Sequence, residues 1–156
     1  MGVCGSGLID LLAELLGTGR MSRKAKIGED FCLVDGICIT QQDVYELITA
    51  KAGLTLDQDL LMRYYGIELD QVQKIFLTGG FGNFVNPENA VAIGLLPSAP
   101  EKVVRIGNGA LAGAREMLLS RRSRAKGEEL AASIEHAKPN EREPDFAYQV
   151  ADNMYF

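Results

Sequence analysis

Residues 75–84 read IFLTGGFGNF: Ile75, Phe76, Leu77 and Thr78 are apolar or β-branched, and two glycines follow at once, ahead of Phe81-Gly82-Asn83-Phe84. That composition predicts a short, buried strand over residues 75–78. The glycines that end it leave two readings open. One is a tight turn. The other is a backbone that must pass close to a ligand, because glycine has no β-carbon to hold a bound molecule away. Regular structure is expected to resume only at Asn86-Pro87-Glu88. There Asn is a good helix cap, Pro suits the first helical position and Glu complements the positive end of the helix dipole. That helix is expected to run through Leu96 and to stop at Pro97.

The same arrangement recurs downstream. Residues 103–106 form a second short β-prone run, and Gly107-Asn108-Gly109 opens a helix with small residues at Ala110, Ala112, Gly113 and Ala114. Strand, glycine segment and helix, twice over, predict an α/β layered domain with a partly parallel sheet. In open sheets of that kind ligands sit beyond the carboxyl ends of the strands. Gly79, Gly80, Phe81 and Gly82 are therefore candidate ligand-contacting residues, as are Gly107, Asn108 and Gly109. Taken singly, each segment reads equally well as a structural turn. The small residues after Gly109 read better as close helix–sheet packing. Neither GxGxxG in the first segment nor GxxxxGK[ST] anywhere is present, so dinucleotide-fold and P-loop assignments fail.

Ahead of these segments, Ser6 or Gly7 is expected to cap a well-buried helix to about residue 16, ended by Gly17-Thr18-Gly19. Residues 20–30 read as an exposed connection. Residues 31–34 and 37–40 are short β-prone runs across Asp35-Gly36, a strong hairpin signal. Thr40 opens a helix with Asp43 as partner in a capping box, and Gly66 ends it. Gly53 with Thr55 is expected to divide that segment into two helices. Residues 70–73 form a polar turn. A polar helix is expected around 128–137, then a loop over 139–144 and an amphipathic segment over 146–155. The chain thus reads as one domain over 1–156, with 138–156 as a tail docking on the body.

Composition bounds the function. At 156 residues, 47% hydrophobic and 24% charged, the chain has the make-up of a soluble domain with a real core. No apolar run approaches the roughly 18–20 residues of a membrane span, and no basic stretch precedes an apolar one at the start. The expectation is a cytoplasmic protein with no membrane partner. A net charge of −5 gives no reason to expect nucleic acid. Arg121, Arg122, Arg124 and Lys126 read as the solvated end of a helix. Cys4, Cys32 and Cys38 are odd in number and lack CxxC spacing, and His136 is the sole histidine. No metal or iron–sulfur site is expected from this chain, nor Cys–His catalysis. The cysteines are expected to be reduced and buried. Asp10 and Asp35 read as structural, and no catalytic residue is assigned. The glycine-rich run Met1 to Gly7, entering a helix with nothing before it, suggests a piece of a longer protein.

Residues 39–118 resemble the second half of the actin, sugar-kinase and heat-shock chaperone ATPase superfamily. ITQQDVYEL resembles the start of its nucleotide-domain helices, and KIFLTGGFGNF its adenosine motif. NPENAVAIGLLP resembles the segment that follows, and RIGNGALAGAREML the second connecting motif at the interdomain hinge. A closer match takes in nearly the whole chain. GVCGSGLIDLLAEL, ITQQDVYELITAKAG, FLTGGFGNF, AIGLLP and GNGALAGAREMLLS, in this order, resemble the carboxy-terminal region of the reductive activators of corrinoid proteins. The resemblance implies a ribonuclease H-like second lobe of an actin-like ATPase fold. It implies the adenosine side and hinge of a site for ATP and Mg²⁺, with the phosphate loops upstream of Gly2. It also implies an iron–sulfur cluster on a separate upstream domain, none in this chain, and a corrinoid protein or methyltransferase as partner. On the same ground Lys51, in TAKAG, is a candidate polar contact to nucleotide, beside the plainer reading of a solvent-facing lysine. Whether the chain is itself an enzyme stays open: the longer protein is expected to be an ATPase-coupled redox activator, this part alone inactive. Two other readings stand beside it. One is a protein-interaction or homodimerisation module that keeps the fold without using nucleotide, since a single lobe exposes apolar surface. The other is a lobe of a sugar-kinase-like phosphotransferase.

Overall fold

The computed structural model describes residues 2–97 and 99–156. Met1 of the glycine-rich start, and the side chain of Asp35 with the structural role expected of it, lie outside the described residues. Helix α1, Gly5–Gly17, buries Ile9, Leu12 and Leu15, which recur at helical spacing on one face. Its cap is Cys4 rather than Ser6 or Gly7, with no side-chain bond. Thr18 closes the far end, its hydroxyl donating to Glu14 O at 2.7 Å.

Strands β1, Phe31–Cys32, and β2, Cys38–Ile39, pair antiparallel as the Asp-Gly signal predicts. A 3₁₀ turn at Val34–Gly36 joins them, with Gly36 at φ +72°, which a residue with a β-carbon adopts only at a cost. The register sets Cys32 opposite Cys38, and the two form a disulfide. This corrects the expectation of reduced, buried cysteines: both are exposed, as is the free Cys4. The physical reason is symmetry about the turn. Two cysteines three residues either side of Asp35 must face each other across the ladder.

Helix α2, Gln41–Tyr65, carries the expected capping box: Asp43 N–H donates to Thr40 Oγ1 at 3.2 Å, and Thr40 N–H to Asp43 Oδ2 at 2.8 Å. Gly66, at φ +73°, ends it. The helix does not divide at Gly53. The Thr55 hydroxyl folds back to Lys51 O at 3.0 Å and reaches Gly94 O at 2.7 Å. Ala52, Leu56 and Leu60 are buried on either side of Gly53 and Thr55, so packing overrides the local weakness.

Strands β3, Ile75–Leu77, and β4, Val103–Arg105, pair parallel, with Ile75 opposite Val103 and Leu77 opposite Arg105. Between them lie α3, Gly79–Phe84, and α4, Pro87–Ala92. Asn86 caps α4, accepting from Asn89 N–H at 3.0 Å. The helix stops at Ala92, well short of Pro97. Gly94 turns the backbone at φ +70°, and the N–H groups of Leu95 and Leu96 return to Ala90 O. Leu69–Gln71 and Pro100–Lys102 form 3₁₀ turns, tied together by Lys102 Nζ donating to Leu69 O at 3.0 Å.

The core gathers α1, the first half of α2 and α4, with Met21, Ile39, Val85 and Ile93 filling between them. Helices α5, Gly109–Leu119, and α6, Arg121–Ser133, pack on each other: a β-carbon on Gly127 would lie 2.7 Å from Met117 Cε. Ser120 caps α6 through Ser123 N–H at 3.1 Å, so this helix starts earlier than expected and the basic cluster lies in its first turns. The tail holds a short helix α7, Pro139–Arg142, where a loop was expected, and α8, Phe146–Asp152, which packs on α2. No described helix is long and apolar enough to cross a membrane.

Candidate functional site

The parallel register puts the carboxyl ends of β3 and β4 side by side, and both glycine segments leave from that edge. Leu77 O accepts from Ile106 N–H at 3.0 Å, the last rung before the strands part. One step on, Gly79 N–H donates to Gly107 O at 2.7 Å. Thr78 fills the junction: its hydroxyl donates to the same Gly107 O at 3.1 Å and accepts from Gly109 N–H at 2.9 Å. The two segments therefore form one continuous surface. The expectation of a loop until Asn86 is corrected here, because α3 begins at Gly79 itself. Gly79, at φ +85°, makes the bend that a side chain would resist, and its bond to Gly107 anchors the first turn.

The glycines divide by role. A β-carbon built on Gly80 meets nothing within 4 Å, and the same holds for Gly79 and Gly107. Space over Gly80 is open. A β-carbon on Gly82 would lie 3.4 Å from the Leu77 backbone, and Gly82 is buried. On Gly109 it would lie 2.7 Å from Thr78 Oγ1. Gly82 and Gly109 therefore serve packing, and Gly79, Gly80 and Gly107 leave the face uncovered. Asn108 caps α5, its Oδ1 accepting from Leu111 N–H at 3.0 Å. Phe81 lays its ring against α1, so close to Gly5 that a β-carbon there would be 2.8 Å from Phe81 Cε2. Phe81 and Phe84 keep much of their surface exposed, at 55% and 73%.

Residues 78–84 and 106–111 contain no ionisable side chain. Backbone amides and carbonyls, one hydroxyl, the carboxamides of Asn83 and Asn108, and two rings are its polar and aromatic groups. Such a surface can stack on and hydrogen-bond a flat, neutral group, and it offers no side chain for proton transfer. Among the described residues, no group of three His, Cys, Asp or Glu is placed to hold a metal ion. Clefts of about 440 Å³, lined by Arg20, Ile27 and Phe31 among others, and about 510 Å³, lined by Thr55, Met62 and Pro97 among others, lie elsewhere.

This pairing of strand-end glycines accompanies a match over the whole chain: residues 1–156 fit the family described as the C-terminal domain of RACo, the ASKHA domain. The chain belongs to that family. Its α/β fold, with flanking helices around a small parallel pair, is the ASKHA domain's. The domain is similar to a solved structure of a reductive activator for corrinoid, iron-sulfur protein, with a TM-score of 0.85 and 30% identity over 99% of this chain and 28% of the other. It is 35% identical to the corrinoid activation enzyme RamQ of Eubacterium limosum, over 77% of this chain and 25% of that protein. It is 30% identical to the [Co(II) methylated amine-specific corrinoid protein] reductase of Methanosarcina barkeri, over 78% of this chain and 23% of that protein. The chain thus spans about a quarter of the length of these relatives.

Within this ASKHA domain, Lys51 stands apart from the glycine face in its contacts. It is 6% exposed, not solvent-facing, and its Nζ donates to Asn153 O and Tyr155 O, each at 2.9 Å. The ammonium also lies 5.0 Å from the centre of the Phe156 ring. Burial holds its pKa below the ordinary lysine value. The structure thus joins Lys51 to the tail rather than to Gly79, Gly80 or Gly107. Sequence reasoning passed over Thr78, the residue that locks the two segments together. Its position between an apolar strand and a glycine pair was the available signal.

Proposed function

We propose that this domain supplies the adenosine side and hinge of the ATP site in an ATP-dependent reductive activator of corrinoid proteins. The observation that carries the reading is the joined glycine face at the carboxyl ends of β3 and β4, with open space over Gly80. Its chemistry fits the adenine and ribose of a nucleotide: uncharged, partly aromatic, and lined by backbone that a ligand can approach. Gly79, Gly80 and Phe81 would form one side of that contact and Gly107 and Asn108 the other, with Gly82 and Gly109 packing the backbone beneath them.

When bound, ATP supplies the phosphoanhydride whose cleavage drives an otherwise unfavourable one-electron reduction of a cobalt(II) corrinoid. This chain's residues do none of that cleavage in the proposal. They bind and orient the nucleoside, while groups on the rest of the longer protein hold the phosphates and Mg²⁺. An iron–sulfur cluster on an upstream domain would deliver the electron, and a corrinoid protein or its methyltransferase would receive the activated state. The names of the relatives, which act on corrinoid proteins or belong to a corrinoid activator, support that partner class. A cytoplasmic setting goes with the proposal.

A second reading has its own observation. Phe76, Leu111, Leu118 and Leu119 are 56–77% exposed, which suits an interaction or dimerisation face. Amide NMR separates the two. Titration with ADP is expected to shift the amides of residues 78–82 and 107–109 first. Shifts confined to residues 111–119, growing with protein concentration and indifferent to ADP, would favour the interaction module instead.

A further inference from the structure

The Cys32–Cys38 pair lies outside the glycine face, and nothing proposed above uses it. The two cysteines face each other across the β1–β2 ladder with Cα atoms 3.9 Å apart. Leu33 N–H donates to Ile37 O at 2.7 Å, one step nearer the turn. The cysteines therefore occupy a non-hydrogen-bonded pair, the position where facing side chains come closest.

Both are exposed, and neither belongs to the core cluster. The bond joins residues six apart, and short rings gain least from loop closure. It is thus placed badly for a packing or loop-closing role and well for attack by an incoming thiolate.

What lies beneath the bond gives it leverage. Ile39, beside Cys38, is buried in the core, and Thr40 next to it caps α2. Phe31, beside Cys32, lies under the Arg20 guanidinium at 5.3 Å. Gln41, the first residue of α2, accepts from Ile27 N–H at 3.0 Å and donates to Ala25 O at 2.8 Å, holding the turn before the hairpin. The ladder itself has two residues per strand. Hairpins that short are marginal without a further constraint.

We propose that Cys32–Cys38 is a reversible thiol–disulfide site that exchanges with a dithiol reductant and sets the order of the segment 27–40. One thiolate of the dithiol attacks a cysteine sulfur, forming a mixed disulfide and breaking the Cys32–Cys38 bond. The released cysteine leaves as thiolate and takes a proton. The second thiol of the dithiol then displaces the other cysteine, which is protonated in turn. Two electrons and two protons pass to the protein, and the dithiol leaves as its disulfide.

The test equilibrates the full chain in graded ratios of reduced to oxidised dithiothreitol, quenches in acid, labels with maleimide and counts labels by mass. One label, on Cys4, is expected at the oxidised end and three at the reduced end, with a single two-electron transition between. Hydrogen exchange on the two forms should show faster exchange over 27–40 after reduction, with the second half of α2 unchanged and the helical circular dichroism retained. A Cys32→Ser/Cys38→Ser protein, which takes one label at every ratio, should show the fast exchange of the reduced form over 27–40 throughout. Three labels throughout, or one label throughout with the fold intact, overturns the proposal. So do identical exchange over 27–40 in both forms, the slow exchange of the oxidised form over 27–40 in the double variant, or loss of helical signal on reduction, which would make the bond a staple.

Discussion

The Thr78–Gly109 junction can be tested by a double-mutant cycle, because the structure gives each partner a separate cost. An alanine β-carbon at position 109 would sit 2.7 Å from Thr78 Oγ1 and 3.4 Å from Ile106 Cδ1. The isoleucine tip can move, whereas the threonine oxygen is fixed by its two bonds at 2.9 and 3.1 Å. Overpacking of this kind costs about 1–3 kcal/mol, and a half-exposed site that can relax falls at the lower end. Gly109→Ala is therefore expected to destabilise by about 1–2 kcal/mol. Thr78→Ala loses two hydrogen bonds near solvent, at about 0.5 kcal/mol each. In the Thr78→Ala background the clash is gone, and alanine's helix preference at the start of α5 is uncovered. The second substitution then becomes neutral or stabilising, giving a coupling of at least about 1 kcal/mol. Urea unfolding of the four proteins measures this, and about 1 kcal/mol corresponds to 2–4 °C in Tm for a domain of this size. Effects that add to within about 0.3 kcal/mol would refute the joined-segment geometry.

Three further outcomes follow from the same structure. Hydrogen bonds from the Thr40 hydroxyl and backbone hold the Asp43 carboxyl below its ordinary value. A depressed carboxylate stabilises the fold above its unfolded pKa, and that contribution is lost as pH falls through the lower folded value. Amides at the start of α2 should therefore lose protection in acid, and Asp43→Asn should remove that dependence. Lys51→Met should free the tail, raising hydrogen exchange over 146–156 and lowering stability by about 1–3 kcal/mol through two lost bonds to carbonyls; unchanged tail exchange would contradict the role assigned to Lys51. The 156-residue chain should release phosphate from ATP no faster than buffer, since most of the rate in phosphoryl transfer comes from groups around the β- and γ-phosphates. Turnover abolished by Gly80→Val would show a complete site here.

The caps of α2 and α4 were legible in the sequence because they are local chemistry. Thr40 with Asp43 and Asn86 before Pro87 each satisfy helix N–H groups with a side chain a few residues away, and the structure shows each bond. What propensity misjudged depended on distant partners. Gly79-Gly80 reads as a break, yet α3 starts there because Gly107 O, from another segment, receives Gly79 N–H. Gly53 reads as a helix end, yet Gly94 O and buried neighbours carry α2 through. The disulfide was within reach: the symmetry of Cys32 and Cys38 about the expected Asp35-Gly36 turn already made them cross-strand partners. Of the candidate site, the two glycine segments could be read from sequence, but their contact through Thr78 needed the parallel register.

The central claim rests on open space over one glycine, and Gly80→Val tests it with little disturbance elsewhere. Gly80 lies in the first turn of α3 with no positive φ, and a β-carbon there touches nothing within 4 Å. Valine is a better helix residue than glycine, so stability should hold to within about 0.5 kcal/mol. Its branched side chain would stand in the path proposed for adenine or ribose. Calorimetric titration of ADP into the wild-type and Gly80→Val proteins is the direct measurement. An affinity loss of about tenfold or more, roughly 1.4 kcal/mol, with unchanged unfolding is the predicted result. Equal affinity in the two proteins, both folded, would contradict a nucleotide at this face.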